Sequence, residues 1–229
     1  MIAAIGDIHG CFFTLVELVE LIREKYPSIK IYSVGDLIDR GKNSYEVINF
    51  IINENIEFTA GNHDYMFYHF FKKPASIFAR SWSFNGSEAT LKSYEKHENE
   101  LFKHIDFIKE APLMLNLDDC FLSHAGISIH YKKRLPPNFK NDQDILKKFV
   151  EQDYYEDFGV MWNRLPLMDI GKLQLVGHTR QEDVRIDEKA NAAYIDTGAF
   201  TGKKLSAVIV EKNKIIDKLS VKTNLNDIV

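Results

Sequence analysis

Short apolar runs alternate with longer amphipathic stretches along the first third of the chain. Three of the runs have the length and the β-branched residues typical of strands, and each is followed by apolar positions at helical spacing. The predicted strands are Ile2–Ile5, Ile29–Val34 and Ile56–Thr59, and the predicted helices are Thr14–Lys25, Ser44–Asn55 and Tyr65–Phe71. This alternation predicts an α/β fold with a largely parallel sheet and crossover helices.

The pattern changes after the third predicted helix. Residues from about 74 to 110 are mostly amphipathic and helical, which predicts a small helical insert. The polar segment Tyr131–Gln143 contains two adjacent prolines and predicts a surface loop. A hairpin turn is predicted at Lys212-Asn213. Further predicted strands are Leu113–Leu117, Cys120–Ser123, Lys172–Val176, Ala192–Asp196, Leu205–Val210 and Lys214–Leu219. Without repeats or low-complexity tracts, the length of 229 residues predicts one domain over residues 1–229.

Composition and charge narrow the class of protein. With 45% hydrophobic and 27% charged residues the chain has ordinary globular composition. The net charge of −4, without a concentrated basic block, disfavours binding to long nucleic acid. Two cysteines and no recognisable leader predict a reducing, cytoplasmic location. No stretch approaches the roughly 20 apolar residues of a membrane span, so no membrane partner is expected.

Glycine and polar residues occur together where five predicted strands end. A lone aspartate at such a place is usually a helix cap, but repetition at several strand ends favours a shared site. Glycine allows a sharp turn out of the sheet, and ligands gather at the carboxyl ends of parallel strands. The five motifs are Gly6-Asp7-Ile8-His9-Gly10, Gly35-Asp36-Leu37-Ile38-Asp39-Arg40-Gly41, Gly61-Asn62-His63-Asp64, Ser123-His124-Ala125-Gly126 and Gly177-His178-Thr179.

The motifs supply carboxylate, carboxamide and imidazole ligands without a thiolate. The candidate metal ligands are Asp7, His9, Asp36, Asn62, His124 and His178. Such a set suits manganese, the favoured ion, and also iron or zinc. Six ligands are too many for one catalytic ion with an open position, so two divalent ions are expected, with Asp36 as the bridge between them. Two ions that share a water lower its pKa and clamp the oxygens of an in-line displacement. Phosphoester hydrolysis is the chemistry that follows.

In this order, the five motifs resemble the signature of the calcineurin-like metallophosphoesterases. The Asp39-Arg40-Gly41 form is similar to the branch that holds phosphoprotein phosphatases and symmetrical bis(5′-nucleosyl)-tetraphosphatases. The resemblance spans about residues 2–210. It implies a four-layer α/β/β/α sandwich, which the alternation of elements indicates only in part.

The resemblance also implies catalytic roles. By family analogy His63 is not a ligand but protonates the leaving oxygen, and Asp39 orients it. The planar fork of Arg40 matches two phosphate oxygens. Arg164 resembles the second phosphate arginine of bacterial and phage members. The segment around Trp82 is similar to the helical insert of small bacterial members, and it is expected to wall the substrate pocket together with the loop 131–141.

Several functions remain open at this point. The favoured one is a phosphomonoesterase of the Ser/Thr protein phosphatase type, which acts on a phosphorylated protein. The alternative is a bis(5′-nucleosyl)-tetraphosphatase that acts on a small nucleotide. Paired arginines disfavour a phosphodiesterase or nuclease, and the complete motif set disfavours a non-catalytic scaffold. A cysteine-based phosphatase is excluded because neither Cys11 nor Cys120 has an arginine six residues later.

Overall fold

Two five-stranded sheets face each other between outer layers of helices. The structure is a computed structural model that describes residues 1–141 and 143–228. The expected four-layer α/β/β/α arrangement is confirmed. The strands are β1 (Ile2–Ile5), β2 (Lys30–Ser33), β3 (Glu57–Phe58), β4 (Met114–Asn116), β5 (Phe121–Ser123), β6 (Gln174–Val176), β7 (Arg185–Asp187), β8 (Ala192–Tyr194), β9 (Lys204–Glu211) and β10 (Lys214–Lys222).

The helices begin and end close to the predicted positions in the first third of the chain. They are α1 (Phe12–Lys25), α2 (Ser44–Asn53), α3 (Asn62–Lys72), α4 (Ile77–Trp82), α5 (Ser87–Tyr94), α6 (Glu98–Lys109) and α7 (Gln143–Asp153). Helix α7 and strand β7 were not predicted. Among the described residues, no helix combines the length and the apolar character that crossing a bilayer requires.

The three strands predicted in the first third of the chain are parallel, as expected, but both sheets also contain antiparallel strands. The first sheet has the order β10-β9-β1-β2-β3, in which β1, β2 and β3 are parallel and β9 is antiparallel to β1. The second has the order β4-β5-β6-β8-β7, with β5, β6 and β8 parallel. The predicted hairpin joins β9 to β10, and its turn residues Lys212 and Asn213 have φ of 49° and 61°. Positive φ at both positions matches the right-handed twist of the strands.

Strand β1 shows how the layers are held together. Its alternate residues Ala3 and Ile5 pack against the first helical layer, in one cluster with Leu15 of α1. Ile2 and Ala4 point the other way, into the cluster between the two sheets. Because side chains alternate across a strand, a strand buried on both faces is apolar throughout. This explains the unbroken apolar run at the start of the sequence.

The outer face of the second sheet is covered by the segment that was predicted to be a surface loop. Tyr131, Leu135 and Phe139 are buried there, in a cluster that also contains Leu146 of α7. Short 3-10 turns place these apolar residues on the inner side while the intervening lysines stay exposed. The prediction of a surface loop at 131–143 is therefore wrong for the buried positions, and Asp142 lies outside the described residues.

The helical insert forms part of the main hydrophobic core. The cluster that contains Ala3 and Ile5 of β1 also contains Trp82 from α4, Tyr94 from α5 and Ile105 from α6. The predicted helical character of residues 74–110 is confirmed by these three helices. That residues 1–229 form one domain stays a prediction, and Val229 lies outside the described residues.

Asp227 lies near the end of the described chain. It binds the first turn of α1 and the loop that follows β2. Its buried carboxylate accepts hydrogen bonds from the backbone N–H groups of Phe13 (3.0 Å) and Thr14 (2.8 Å). The Thr14 hydroxyl (2.7 Å) and the Asn43 side-chain amide (2.8 Å) donate to it as well. The backbone N–H of Lys42 donates to its carbonyl oxygen at 2.9 Å. Asp227 thus caps helix α1 from 213 residues away.

We expect Asp227→Ala to lower the free energy of unfolding by about 2 kcal/mol, because several donors lose a charged acceptor in a buried place. Denaturant titration measures this change. Asn226→Ala is the matched control, since the neighbouring side chain is exposed. Equal stability of the two variants would contradict a capping role for Asp227.

Candidate metal centre and active site

The structure brings together the polar residues that follow five strands. Asp7 and His9 follow β1, Asp36 follows β2, and Asn62 begins α3. His124 and His178 follow the parallel strands β5 and β6 of the other sheet. A cavity of about 620 Å³ opens over these residues, and all of them except the fully buried His124 line it. The predicted convergence of the six candidate ligands is therefore present in the structure.

Two glycines are required by the close approach of neighbouring groups. A Cβ atom on Gly177 would overlap the carboxylate of Asp7, and one on Gly61 would overlap that of Asp36. Real Cβ atoms do not approach other atoms so closely. Glycine at these two positions lets the strand ends pass directly beside the carboxylates.

Five residues of the candidate site have left-handed backbone conformations. The φ angles are 47° for His9, 50° for Asp36, 72° for Asp39, 71° for Arg40 and 61° for His178. Such conformations cost on the order of 1 kcal/mol or more in residues other than glycine, and they cluster at functional sites. Hydrogen bonds between loops hold them: the His9 N–H donates to the Asp36 carbonyl at 2.9 Å.

Backbone carbonyls fix the orientation of two candidate ligands. His9 Nδ1 donates to the Ile38 carbonyl at 2.8 Å, and His124 Nδ1 donates to the Val34 carbonyl at 2.9 Å. Their Nε2 atoms therefore face inward, at 3.5 and 3.4 Å from Asp36 Oδ2. This arrangement is typical of metal-binding histidines. Asp36 lies between the two imidazoles, where a bridging carboxylate is expected.

Asn62 and His178 complete the second side of the centre. Asn62 Oδ1 lies 3.0 Å from His124 Nε2 and 2.9 Å from His178 Nδ1. His178 Nε2 is buried without a hydrogen-bond partner in the described residues. The His178 backbone N–H donates to the Asp7 carboxylate at 3.0 Å. Ligand atoms from three separate segments thus surround one point beside Asp36.

The carboxylates of the site are buried close together, where positive charge stabilises their ionised forms. Burial raises the pKa of Asp7 well above its usual range, and the nearby Asp196 carboxylate adds to the effect. Burial alone would lower the pKa of His124, but the charge of Asp36 outweighs it and raises this pKa to about 10. A divalent cation would supply the positive charge that a proton on His124 supplies otherwise.

The other two imidazoles favour the neutral form. Burial lowers the pKa of His9 well below its usual range. Burial, followed by the charge of His124, lowers the pKa of His178 to about 3. A metal-binding histidine must be deprotonated, so both rings are in the form that binds a cation.

Two groups of ligand atoms share Asp36. Asp7, Asp36 and His124 form one, and His9, Asp36 and His63 form the other, with the atoms of each group within 4.8 Å of one another. The oxygen and nitrogen ligands, their burial and their charge fit two divalent cations. His63 was expected to be an acid and not a ligand, and that role stays a prediction.

His63 is held by a buried network that the sequence indicated only in part. Its Nδ1 lies 2.7 Å from Asp39 Oδ2, as the expected pair requires. Asp39 also accepts hydrogen bonds from the Trp82 indole at 2.9 Å and from the Thr90 hydroxyl at 2.7 Å. Both donors come from the helical insert, which therefore positions the Asp39 carboxylate. The sequence placed Trp82 in the insert, but gave no signal for its partner 43 residues away.

We expect Trp82→Phe to lower kcat by about 10-fold, because a hydrogen bond to a charged group is worth roughly 1.5–3 kcal/mol. The loss should be larger for an alkyl phosphate than for an aryl phosphate, since a poor leaving group depends more on the proton from His63. Phe70→Leu is the control, because Phe70 packs on the same ring at 4.8 Å without touching the hydrogen bond. If Trp82→Phe lowers kcat equally for both phosphates, Trp82 contributes through packing alone.

Arg40 lines the cavity beside two candidate ligands. Its guanidinium donates to His9 Nε2 and to His63 Nε2, both at 2.9 Å. The same group lies 4.4 Å from the ring centre of Phe200, a contact that the sequence did not reveal. Arg164 is exposed and lines the same cavity. Both arginines can therefore reach a phosphate that enters it.

Two segments wall the cavity. The insert contributes Ser81 and Asn85, in agreement with the expectation. Phe158 and Trp162, from the segment before β6, also line the cavity, and no described residue of 131–141 does so. The expected contribution of that loop is therefore wrong, because its apolar residues point into the core beneath the second sheet.

Asp64 supports the site without lining it. Its carboxylate accepts hydrogen bonds from the backbone N–H groups of Leu37 at 3.0 Å and Gly61 at 3.2 Å. It therefore joins the loop after β2 to the start of α3. The spacing between Gly61 and Asp64 is that of a helix capping box, which is the signal that could have found this residue.

Residues 1–188 match the model of the family described as calcineurin-like phosphoesterase, and the chain belongs to that family. It is therefore a phosphoester hydrolase of a family that uses divalent metals.

Relatives with named activities are bis(5′-nucleosyl)-tetraphosphatases. The asymmetrical enzyme PrpE of Oceanobacillus iheyensis is 28% identical over 233 residues, covering 89% of this chain and 86% of that protein. The symmetrical enzyme of Actinobacillus succinogenes is 32% identical over 136 residues, covering 54% of this chain and 43% of that protein. A solved structure, the cold-active protein-tyrosine phosphatase of a Shewanella species, has a TM-score of 0.62 at 19% identity and covers 97% of this chain and 80% of that one. This last similarity concerns the fold.

Proposed function

We propose that the protein hydrolyses its substrate with two divalent cations held by the six candidate ligands. The observation that carries this proposal is the position of Asp36 between the inward-facing Nε2 atoms of His9 and His124. Two cations bound there would lower the pKa of a shared water and neutralise phosphate charge. As the sequence predicts, Asp7 and His9 would hold one cation with Asp36, and Asn62, His124 and His178 the other, although the Asp7 carboxylate also lies within 4.8 Å of the His124 ligand atom.

The remaining residues have distinct tasks in this proposal. Arg40 binds two oxygens of the reacting phosphate through its planar fork. Its contacts with His9 Nε2 and His63 Nε2 support this role, because they hold the guanidinium beside the candidate ligands. His63 donates a proton to the leaving oxygen from Nε2, while Asp39 holds Nδ1 and fixes the orientation of the ring. Arg164 contacts the substrate further out in the cavity.

We infer that the substrate is a dinucleoside polyphosphate. The relatives that cover most of this chain are named for this activity. The cavity lies within the size range of small-molecule sites, and Phe158 and Trp162 give it aromatic wall surface suited to a nucleoside. A phosphorylated protein, the substrate that the sequence favoured, is the second candidate, because two arginines in one cavity suit a phosphoryl group with free oxygens.

One set of assays tests the proposal. Metal-free protein is reconstituted with manganese, iron or zinc, and kcat/KM is measured with a dinucleoside tetraphosphate, a phosphoserine peptide, a mononucleotide and a phosphodiester. We expect manganese to restore activity, with the dinucleoside tetraphosphate as the preferred substrate. Preference for the phosphopeptide would replace the substrate with the second candidate. If no substrate is hydrolysed with any of the metals, the proposal is overturned, and a non-catalytic scaffold is the alternative that remains.

A further inference from the structure

A second cavity adjoins the candidate active site at Arg40. Its volume of about 630 Å³ is close to that of the first cavity. Arg40 lines both cavities, and the insert forms the boundary between them: Asn85 lines the first, while the neighbouring Phe84 and Gly86 line the second. A ligand that extends beyond the catalytic cavity past Arg40 would therefore enter this second space.

Phe84 presents an aromatic surface to this second cavity. Its side chain is 89% exposed, the highest value among the large hydrophobic residues that the structure describes. The backbone around it is nevertheless fixed: the Phe84 N–H donates to the Ser81 carbonyl, and the Asn85 N–H donates to the Trp82 carbonyl. Trp82 is in turn anchored to Asp39. An aromatic ring held on a fixed turn beside a cavity is suited to stacking against a planar ligand.

The charge of the second cavity favours an anion. Arg40, Lys42 and Lys92 line it, against a single acidic residue, Glu88. Within residues 1–141 and 143–228, the ammonium groups of Lys42 and Lys92 take part in none of the salt bridges. Cations without a partner, beside an aromatic ring, match the two parts of a nucleotide: phosphate and base.

We propose that the second cavity binds the distal nucleoside of a dinucleoside polyphosphate. Phe84 stacks on its base, and Lys42 and Lys92 bind the phosphates that lead to it from Arg40. This inference rests on the proposed function, and it adds the subsite that would distinguish a dinucleoside from a mononucleoside substrate. The first cavity then holds the reacting phosphate and the other nucleoside.

Two substrates that differ in the distal nucleoside test this subsite. Diadenosine tetraphosphate carries the distal nucleoside, whereas adenosine tetraphosphate lacks it. We expect Phe84→Ala to lower the ratio of their kcat/KM values about 10-fold in the manganese-loaded enzyme, mainly through the KM of the dinucleoside, since stacking on an aromatic side chain contributes at this scale. Lys92→Ala should lower kcat/KM for both nucleotides, because both carry the phosphates that Lys92 binds, and should make both values less dependent on salt.

The control is Phe102→Ala, which removes another exposed phenylalanine of the insert that lines neither cavity. It should leave the ratio unchanged. A ratio in Phe84→Ala equal to that of the unmodified enzyme would overturn the subsite while leaving the proposed function intact.

If the unmodified enzyme hydrolyses neither nucleotide, the proposed substrate is wrong. Calorimetric measurement of diadenosine tetraphosphate binding then tests the subsite by itself. Binding of diadenosine tetraphosphate that is weakened about 10-fold by Phe84→Ala would support the subsite. Absence of binding, or binding that Phe84→Ala does not change, would overturn it.

Discussion

Asp36→Asn is expected to abolish turnover and to reduce bound metal from about two ions to less than one per chain, because one carboxylate serves both ions. Asp36 Oδ2 faces His9 Nε2 and His124 Nε2 at 3.5 and 3.4 Å, so loss of its charge weakens both sides of the centre. The asparagine can keep the hydrogen bond that Asp36 Oδ1 accepts from the His63 N–H. Elemental analysis and kcat are measured on the same sample, and circular dichroism checks the fold.

Asp187→Asn provides the comparison for this variant. Asp187 ends the edge strand β7 and accepts backbone hydrogen bonds from Lys189 and Ala190, away from the cavity. We expect full metal content and activity in this control. Full activity in Asp36→Asn is incompatible with a bridging role, and loss of only one ion would restrict Asp36 to one side of the centre.

His63→Ala is expected to lower kcat by about 10²-fold or more with a poor leaving group while metal content stays unchanged. His63 Nδ1 is bound to Asp39, so Nε2, which accepts a hydrogen bond from Arg40 in the structure, is the nitrogen that would donate the proton. With an aryl phosphate, whose leaving group needs no proton, the loss should be much smaller. Parallel measurements with alkyl and aryl phosphates and elemental analysis test both points.

A double variant tests whether His63 and Asp39 act as one unit. Asp39→Asn alone should show the same dependence on the leaving group, and adding it to His63→Ala should cost little more, because residues that act together are not additive. Loss of metal in His63→Ala equal to its loss of activity would instead make His63 a ligand, in keeping with the group that it forms with His9 and Asp36.

The residues that the sequence located best are those that immediately follow a strand. Asp7, Asp36 and His178 lie within three residues of a strand end, and parallel strand ends meet at one edge. Local pattern alone was therefore enough to bring Asp7 and Asp36 together, whereas His178 follows a strand of the other sheet. Strand pairing was harder to predict, because placing β9 beside β1 depends on a register between Ile2 and Val210 that no local pattern encodes.

Contacts between distant segments account for what the sequence did not reveal. Trp82 was noticed as part of a motif, yet its function depends on a hydrogen bond to Asp39 across the helical layer. Phe200 was not noticed, because a single phenylalanine gives no sign that it will lie under Arg40. The lysines between Tyr131 and Phe139 made this segment look polar, so the burial of these two residues was not predicted. In each case the deciding partner lies in another part of the chain.

The cap that Asp227 places on α1 has a consequence for biosynthesis. Ribosomes deliver the amino-terminal part of a protein first, so every candidate ligand is synthesised before residue 227. Until that residue emerges, the first turn of α1 and the side chain of Asn43 lack their acceptor. Maturation of the nascent chain into a competent enzyme is therefore expected to wait until residue 227 has left the ribosome.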